Sequence, residues 1–283
     1  MKYFLNIVLA FLILIYANGC TESSPLISDK DLVVVWGFVY ANEPITDIKL
    51  TGTLPLDADS LSEFPPINNA EVAVIVNGDR FECELASGDS GFYQYLANDL
   101  SIKTGDQTSI EIEWQGQSIK GESTVPQPPT GLGLNSNVME IPNFSDRESF
   151  GAWRQSENRE VVVTWEKELE DDWFYVVLKN IEQNPIPIEM NSRFNERRRQ
   201  IIFPPIQDTS YRIRLPLIEF LGLHEIRVYR VNREYVDLYE SREQDTRDLN
   251  EPLTNIEGGL GVFSAFNSSD MSPSTIFMCV FIS

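Results

Sequence analysis

The sequence is poor in the side chains that carry most enzyme chemistry. It has one histidine, His224, and three cysteines, Cys20, Cys83 and Cys279. One imidazole cannot build a His-rich metal site. Cys83 and Cys279 lie far apart with no metal-type spacing. In an oxidising compartment they either pair or stay as buried free thiols, and we favour the second. Basic residues are also scarce: 22 Lys and Arg stand against 43 Asp and Glu, a net charge of −21. A field of that sign repels nucleic acid and anionic lipid, so neither is expected as a partner. Beyond residue 16 there is no long apolar run. The longest, "IFMCVFI" at 276–282, fits a buried terminal strand and falls well short of the ~18 residues a membrane helix needs. Apolar residues still make up 42% of the chain, which reads as globular rather than as an acidic disordered segment.

What is present starts at the first residue. Met1-Lys2 is followed by "YFLNIVLAFLILIY" (3–16), a charged n-region and a short apolar h-region. As a helix that run reaches ~21 Å, short of a ~30 Å hydrocarbon core. Ala17, Asn18, Gly19 and Cys20 come next. A cysteine just after small residues resembles the lipobox of bacterial lipoproteins, from which Asn18 departs. The resemblance implies cleavage before Cys20, a diacylglycerol on its thiol and an acylated amine. A plain secretory signal or a membrane anchor is the alternative. A triacylated cysteine satisfies the physical need for two or more chains, each buried methylene contributing ~0.8 kcal/mol. "TESSPLISDKD" then reads as a polar tether. Residues 1–19 are thus assigned to a signal peptide and 20–31 to a tether.

From residue 32 the pattern is β. "LVVVWGFVY", "DIKLTGTL", "EVAVIV", "RFECELA", "SIEIEWQ" and "SIKGESTV" are strand-like. Asn77-Gly78 and Gln115-Gly116 separate the last four into hairpins, because such pairs tolerate positive φ. We expect a β-sandwich over 32–126. "VPQPPTG" breaks the pattern, so 127–157 is assigned to a linker and an irregular segment. "EVVVTWE", "WFYVVLKNI", "QIIFPPI", "SYRIRLPL" and "HEIRVYRV" open a second β-rich domain over 158–283. "TWE" followed by "WFYVVLKN" is similar to the B and C strands of fibronectin type III modules. One short helix is expected over 232–242, with Tyr235, Leu238 and Tyr239 on its apolar face. The fold class is therefore mostly β: two sandwiches and one short helix near the C-terminus.

"GDSG" (88–91) resembles the nucleophile motif of chymotrypsin-like proteases. That chemistry needs a histidine base beside the serine, and His224 sits far downstream in a strand pattern, where we expect it half-exposed. We read the motif as a loop before the strand start "GFYQY", similar to the Gly-x-Tyr step of transthyretin-like or carboxypeptidase-regulatory-like sandwiches. Ser90 is assigned no catalytic role. The acids Asp57/Asp59 and Glu168/Glu170/Asp171/Asp172 lack the spacing of a calcium loop and read as solvated loops. "RFNERRRQ" (193–200) holds four arginines that bind either an anion or the chain's own surplus acids; the second is preferred. "NIEGGLGVFSAF" (255–266) is not a nucleotide fingerprint and reads as a glycine-kinked strand, with Val262 and Phe263 buried. No catalytic, metal or cofactor residue is assigned, and no cofactor is expected.

The run "YRVNREYVDLYES…NEPLTNIEGGLGVFSAF" resembles the C-terminal signature of a Bacteroidota lipoprotein family, domain of unknown function 4249. "VVWG" (34–37) and "NNAEVAVIVNG" (68–78) are similar to its first strand and hairpin. The resemblance implies an outer-membrane lipoprotein, periplasmic or surface-facing, that serves a SusC-like TonB-dependent receptor. It implies no catalytic residue. The expected function is thus an accessory or ligand-capturing partner of such a receptor. The alternatives are a carboxylate-based hydrolase of glycans or peptides, and a structural adhesion module.

Mass spectrometry of the membrane-purified protein should find Cys20 lipidated and residues 1–19 removed. Cys20→Ala should move the protein to the soluble fraction.

Overall fold

The computed structural model describes residues 32–54, 59, 63–188, 197–243, 254–269 and 275–282. Cys20, the leader, the tether, Asp57 and Arg193 lie outside them. Local alternation builds the first sandwich. In β1 (Val33–Tyr40) every second residue is buried, so Val33, Val35 and Val39 face a core shared with Ile110, Ile112 and Ile119. β2 (Ile45–Gly52) pairs antiparallel with β1. β3 (Glu71–Val76) and β4 (Asp79–Leu85) form a hairpin closed by Asn77 (φ 51°) and Gly78 (φ 95°). β6 (Gln107–Trp114) and β7 (Gln117–Thr124) repeat this around Gln115 (φ 48°) and Gly116 (φ 75°). Positive φ at both turn residues matches the strand twist, as in type I′ turns. β5 (Phe92–Tyr95) lies between β2 and β4.

The second sandwich packs a three-stranded sheet, β8 (Thr130–Leu134), β10 (Glu160–Glu166) and β13 (Ser210–Arg214), over a larger one. The larger sheet holds β9 (Val138–Ile141), β11 (Trp173–Asn180), β12 (Gln200–Ile202), β14 (Gly222–Val231) and β17 (Ile276–Phe281). Trp165 is buried against Phe174 in the core between them. Residues 127–157, expected to be irregular, instead contribute β8, β9 and a helix, α1 (Arg147–Gln155). Both strands are short and prolines precede the first, so neither shows a strand pattern in the sequence. The helix shows no apolar stripe because its only fully buried side chain is Ser149. Asp146 caps α1 by accepting from the Glu148 amide at 2.9 Å.

The expected C-terminal helix is α2 (Arg233–Glu243). Its fully buried residue is Val236, not a member of the Tyr235/Leu238/Tyr239 stripe. A third core explains this: α2 covers Tyr175, Tyr229 and Val231, on the outer faces of β11 and β14, together with Phe266. β14 therefore has two buried faces, Ile226 and Val228 towards the second sandwich and Tyr229 and Val231 towards α2.

The largest departure from the expected boundaries is at the chain's end. After β15 (Ile256–Glu257), which pairs with β7, β16 (Leu260–Ser268) runs parallel to β1, with Val34 opposite Leu260 and Tyr40 opposite Phe266. β16 also pairs with β14 at Tyr229 and Arg230. The glycine-rich segment thus belongs to the first sandwich as much as to the second, and Val33–Ser283 form one unit. Val262 and Phe263 are buried. Gly261 makes this possible: its φ is 103°, and a Cβ there would stand 2.0 Å from the Val35 carbonyl oxygen.

Gly261→Ala should therefore cost at least about 2 kcal/mol, lowering Tm by ~5 °C or more in thermal unfolding. Gly78→Ala, where a Cβ meets nothing within 4 Å, should lower Tm by much less.

Candidate functional site

The two sandwiches and the start of α2 frame a groove. Asn232 lines it and, with Asn255 and Asn267, ties the C-terminal part of the chain to the first half through side-chain amides. Asn232 Nδ2 donates to the Thr124 carbonyl at 2.8 Å and to Ser123 Oγ at 3.0 Å. Asn255 Nδ2 donates to the Phe263 carbonyl at 2.7 Å and the Glu122 carbonyl at 3.0 Å. Asn267 Nδ2 reaches the Pro126 carbonyl at 2.8 Å. The Glu122 and Thr124 carbonyls of β7, beyond the stretch that β15 pairs, are thus satisfied by side-chain amides.

Ser123 sits at the centre of this network. Its hydroxyl donates to Glu234 Oε1 in the first turn of α2 and accepts the Ala265 amide at 3.0 Å. Ser264 Oγ donates to the same Glu234 oxygen at 3.2 Å. Arg233, next to it, lies over the Trp173 ring at 5.7 Å and pairs with Asp237 at 2.5 Å and Glu240 at 2.7 Å. On either side of the Asn232–Arg233 ridge is a cavity, about 780 Å³ on one side and about 460 Å³ on the other. Both are lined by Thr124, Asn232 and Arg233. The larger adds Asn77, Gln107 and Ser109, and the smaller adds Gln127 and Trp173. The walls mix amides and hydroxyls with one indole and with charged groups: Glu122, Arg233 and Glu234 in the larger cavity, and Asp171, Asp172 and Arg230 in the smaller. The amides and hydroxyls can fix a ligand's orientation by hydrogen bonds.

A smaller cleft of about 230 Å³ opens beside Tyr40, Asp47, Tyr175 and Arg227. Its arginine is committed: Nη1 lies 3.1 Å from Glu43 and Nε 3.1 Å from the buried Glu225. It clamps the β1–β2 turn to β14. Burial pushes the Asp47 carboxyl above its ordinary range, although Tyr40 donates to it at 3.3 Å.

The residues singled out in the sequence are not brought together. Ser90 is exposed in a bend of the first sandwich. The glycine after it is structural: Gly91 has φ 73°, and a Cβ there would stand 2.3 Å from the Leu50 carbonyl oxygen. His224 is buried, not half-exposed, in the second sandwich. Its ring stacks on Phe277, with centroids 5.2 Å apart. Nδ1 lies 3.0 Å from the Gly222 carbonyl and Nε2 3.3 Å from Asn180 Nδ2, so the neutral ring carries its proton on Nδ1. Cys83 and Cys279 are free, one packed against the first core and one in the second, and burial pushes both thiols up to about 12. Asp172 is buried rather than solvated. It closes its loop by accepting the Leu169 amide at 2.9 Å and pairs with the largely buried Arg230. In the arginine run, Arg199 donates to the Asn180 carbonyl at 3.3 Å and to the Glu182 carbonyl, an internal use. The groove residues carried no sequence signal, since hydroxyls and amides are ordinary on any strand.

Burial lowers the His224 pKa from 6.5 to about 4. Between those values the unfolded chain binds more protons than the folded one, so stability falls as pH drops through that window. Thermal unfolding between pH 7 and pH 5 should show a Tm decline that is shallower in His224→Gln than in the wild type, whatever the variant's starting Tm.

The sequence profile of a domain of unknown function (DUF4249) matches residues 21–272. No curated protein matches the chain in sequence. Among solved structures, domains A168–A170 of titin are similar over 70% of this chain and 60% of theirs, with 10% identity and a TM-score of 0.21. The FN1–FN3 domains of chicken CNTN1 are similar over 69% of this chain and 59% of theirs, with 11% identity and a TM-score of 0.21. The chain spans about three fifths of either. With its profile matched along nearly all of its length, the chain belongs to the DUF4249 family.

Proposed function

We propose that this protein is a lipid-anchored component of the bacterial envelope, held in the outer membrane through Cys20, that captures a small soluble ligand for a TonB-dependent receptor. The observation that carries the capture is the groove. Its hydrogen-bonding walls are braced by the half-buried Ser123–Glu234–Asn232 network, so it is preorganised. An adhesion module would instead offer a flat apolar patch. A carboxylate-based hydrolase would need a pair of acids free to act; of the acids lining the groove, Glu234 accepts from Ser123 and Ser264, and Asp172 is paired with Arg230. The anchor rests on the leader and "ANGC", and the receptor, with its Bacteroidota setting, on the family resemblance.

Pull-down of the lipidated protein from native membranes should recover such a receptor in near-equal amount; repeated recovery of the protein alone counts against the partner. Native mass spectrometry of the same preparation should show a bound small molecule. Thr124→Trp, at an exposed groove position, should remove that molecule without lowering Tm. Equal occupancy in the variant would place the ligand elsewhere.

A further inference from the structure

In a chain with 22 basic residues against 43 acidic ones, a place where guanidinium groups gather without full pairing is unusual. One exists on the outer face of the three-stranded sheet. The β10–β13 register sets Glu160 opposite Arg214 and Val162 opposite Arg212. Strand alternation buries Val161 and Ile213, which turns Glu160, Arg212 and Arg214 outward. Arg159 immediately precedes β10. Glu160 is shared unequally: it lies 2.5 Å from Arg212 Nη1 but 3.7 Å from Arg214 Nε, too far for a hydrogen bond. Arg214 keeps its side chain 66% exposed. Arg159 makes no ion pair or side-chain hydrogen bond among the described residues.

These groups border a cavity of about 410 Å³ walled by Trp153 of α1 and Pro216. Trp153 Nε1 is buried without an acceptor among the described residues. Guanidinium forks match the two oxygens of a carboxylate or phosphate. An indole and a prolyl ring supply flat apolar faces of the kind that pack against one side of a ring-shaped ligand. Glu157, also on the rim, repels a second anionic group but accepts from hydroxyls. The volume suits one or two rings, and the chain's net charge works against an extended polyanion.

We propose that Arg159, Arg214 and Trp153 form a binding subsite for an acidic sugar unit, a hydroxylated ring bearing one carboxylate or phosphate. It is separate from the groove over Asn232 and does not depend on the capture reading.

Isothermal titration of the full-length, detergent-solubilised protein with glucuronic acid, glucose 6-phosphate, glucose and inorganic phosphate tests it. We expect at least one acidic sugar to bind at least tenfold more tightly than both glucose and inorganic phosphate. Arg159→Gln and Arg214→Gln should each weaken that binding about tenfold with Tm unchanged, because both side chains are exposed. Glucuronic acid and glucose 6-phosphate separate a carboxylate site from a phosphate site, and either supports the proposal. Binding of neither acidic sugar, equal affinity for glucose or inorganic phosphate, or affinity unchanged in both variants would overturn it.

Discussion

Everything in this molecule depends on β16 lying parallel to β1. A parallel pair cannot close through a tight turn, so its strands must be joined by a long crossover. Here that crossover holds most of both sandwiches, β2 through β15, while β17 follows β16. The pairing is paid for in side-chain volume. Gly261 approaches the Val35 carbonyl, and a Cβ at Gly121 would stand 2.9 Å from Phe263 Cβ, so two glycines let the returning strand sit against β1 and β7.

Because β16 also pairs with β14, the two sandwiches share hydrogen bonds as well as a surface. The junction is filled by aromatic rings. Tyr175 and Tyr229 stack at 4.8 Å, Tyr40 and Phe266 at 5.1 Å, and Tyr235 meets Phe266 edge-on at 5.0 Å. Such pairs contribute about 0.5–1.5 kcal/mol each beyond their buried area. Ordinary interdomain contacts permit motion, but a shared strand with an aromatic core restrains it. The groove stands on this restrained junction, which is why its walls are preorganised.

The charge pattern sets acids against arginines inside the fold. Two internal ion pairs, Arg230 with Asp172 and Arg227 with Glu225, bury acids against arginines. Removing one partner of a buried pair costs roughly 3–5 kcal/mol because the other charge is stranded. Arg214, by contrast, stands 3.7 Å from Glu160 with its side chain largely exposed.

The sequence by itself determined the local structure. β-Branched and aromatic runs made β1 and β10 legible and alternation made β6 so, while Asn77-Gly78 and Gln115-Gly116 marked the β3–β4 and β6–β7 hairpins, because strand faces and positive-φ turns are set by adjacent residues. It also marked α2 to within a residue at either end, and the glycine run as part of the fold. It did not show that the C-terminal strand belongs beside the first, that His224 and Asp172 are buried, or that α1 and two strands lie within 127–157. Those outcomes depend on which distant segment completes each hydrogen-bond ladder and covers each face. The groove and the Arg159/Arg212/Arg214 cluster are products of the same long-range register: their residues are ordinary one by one, and only tertiary pairing places them together.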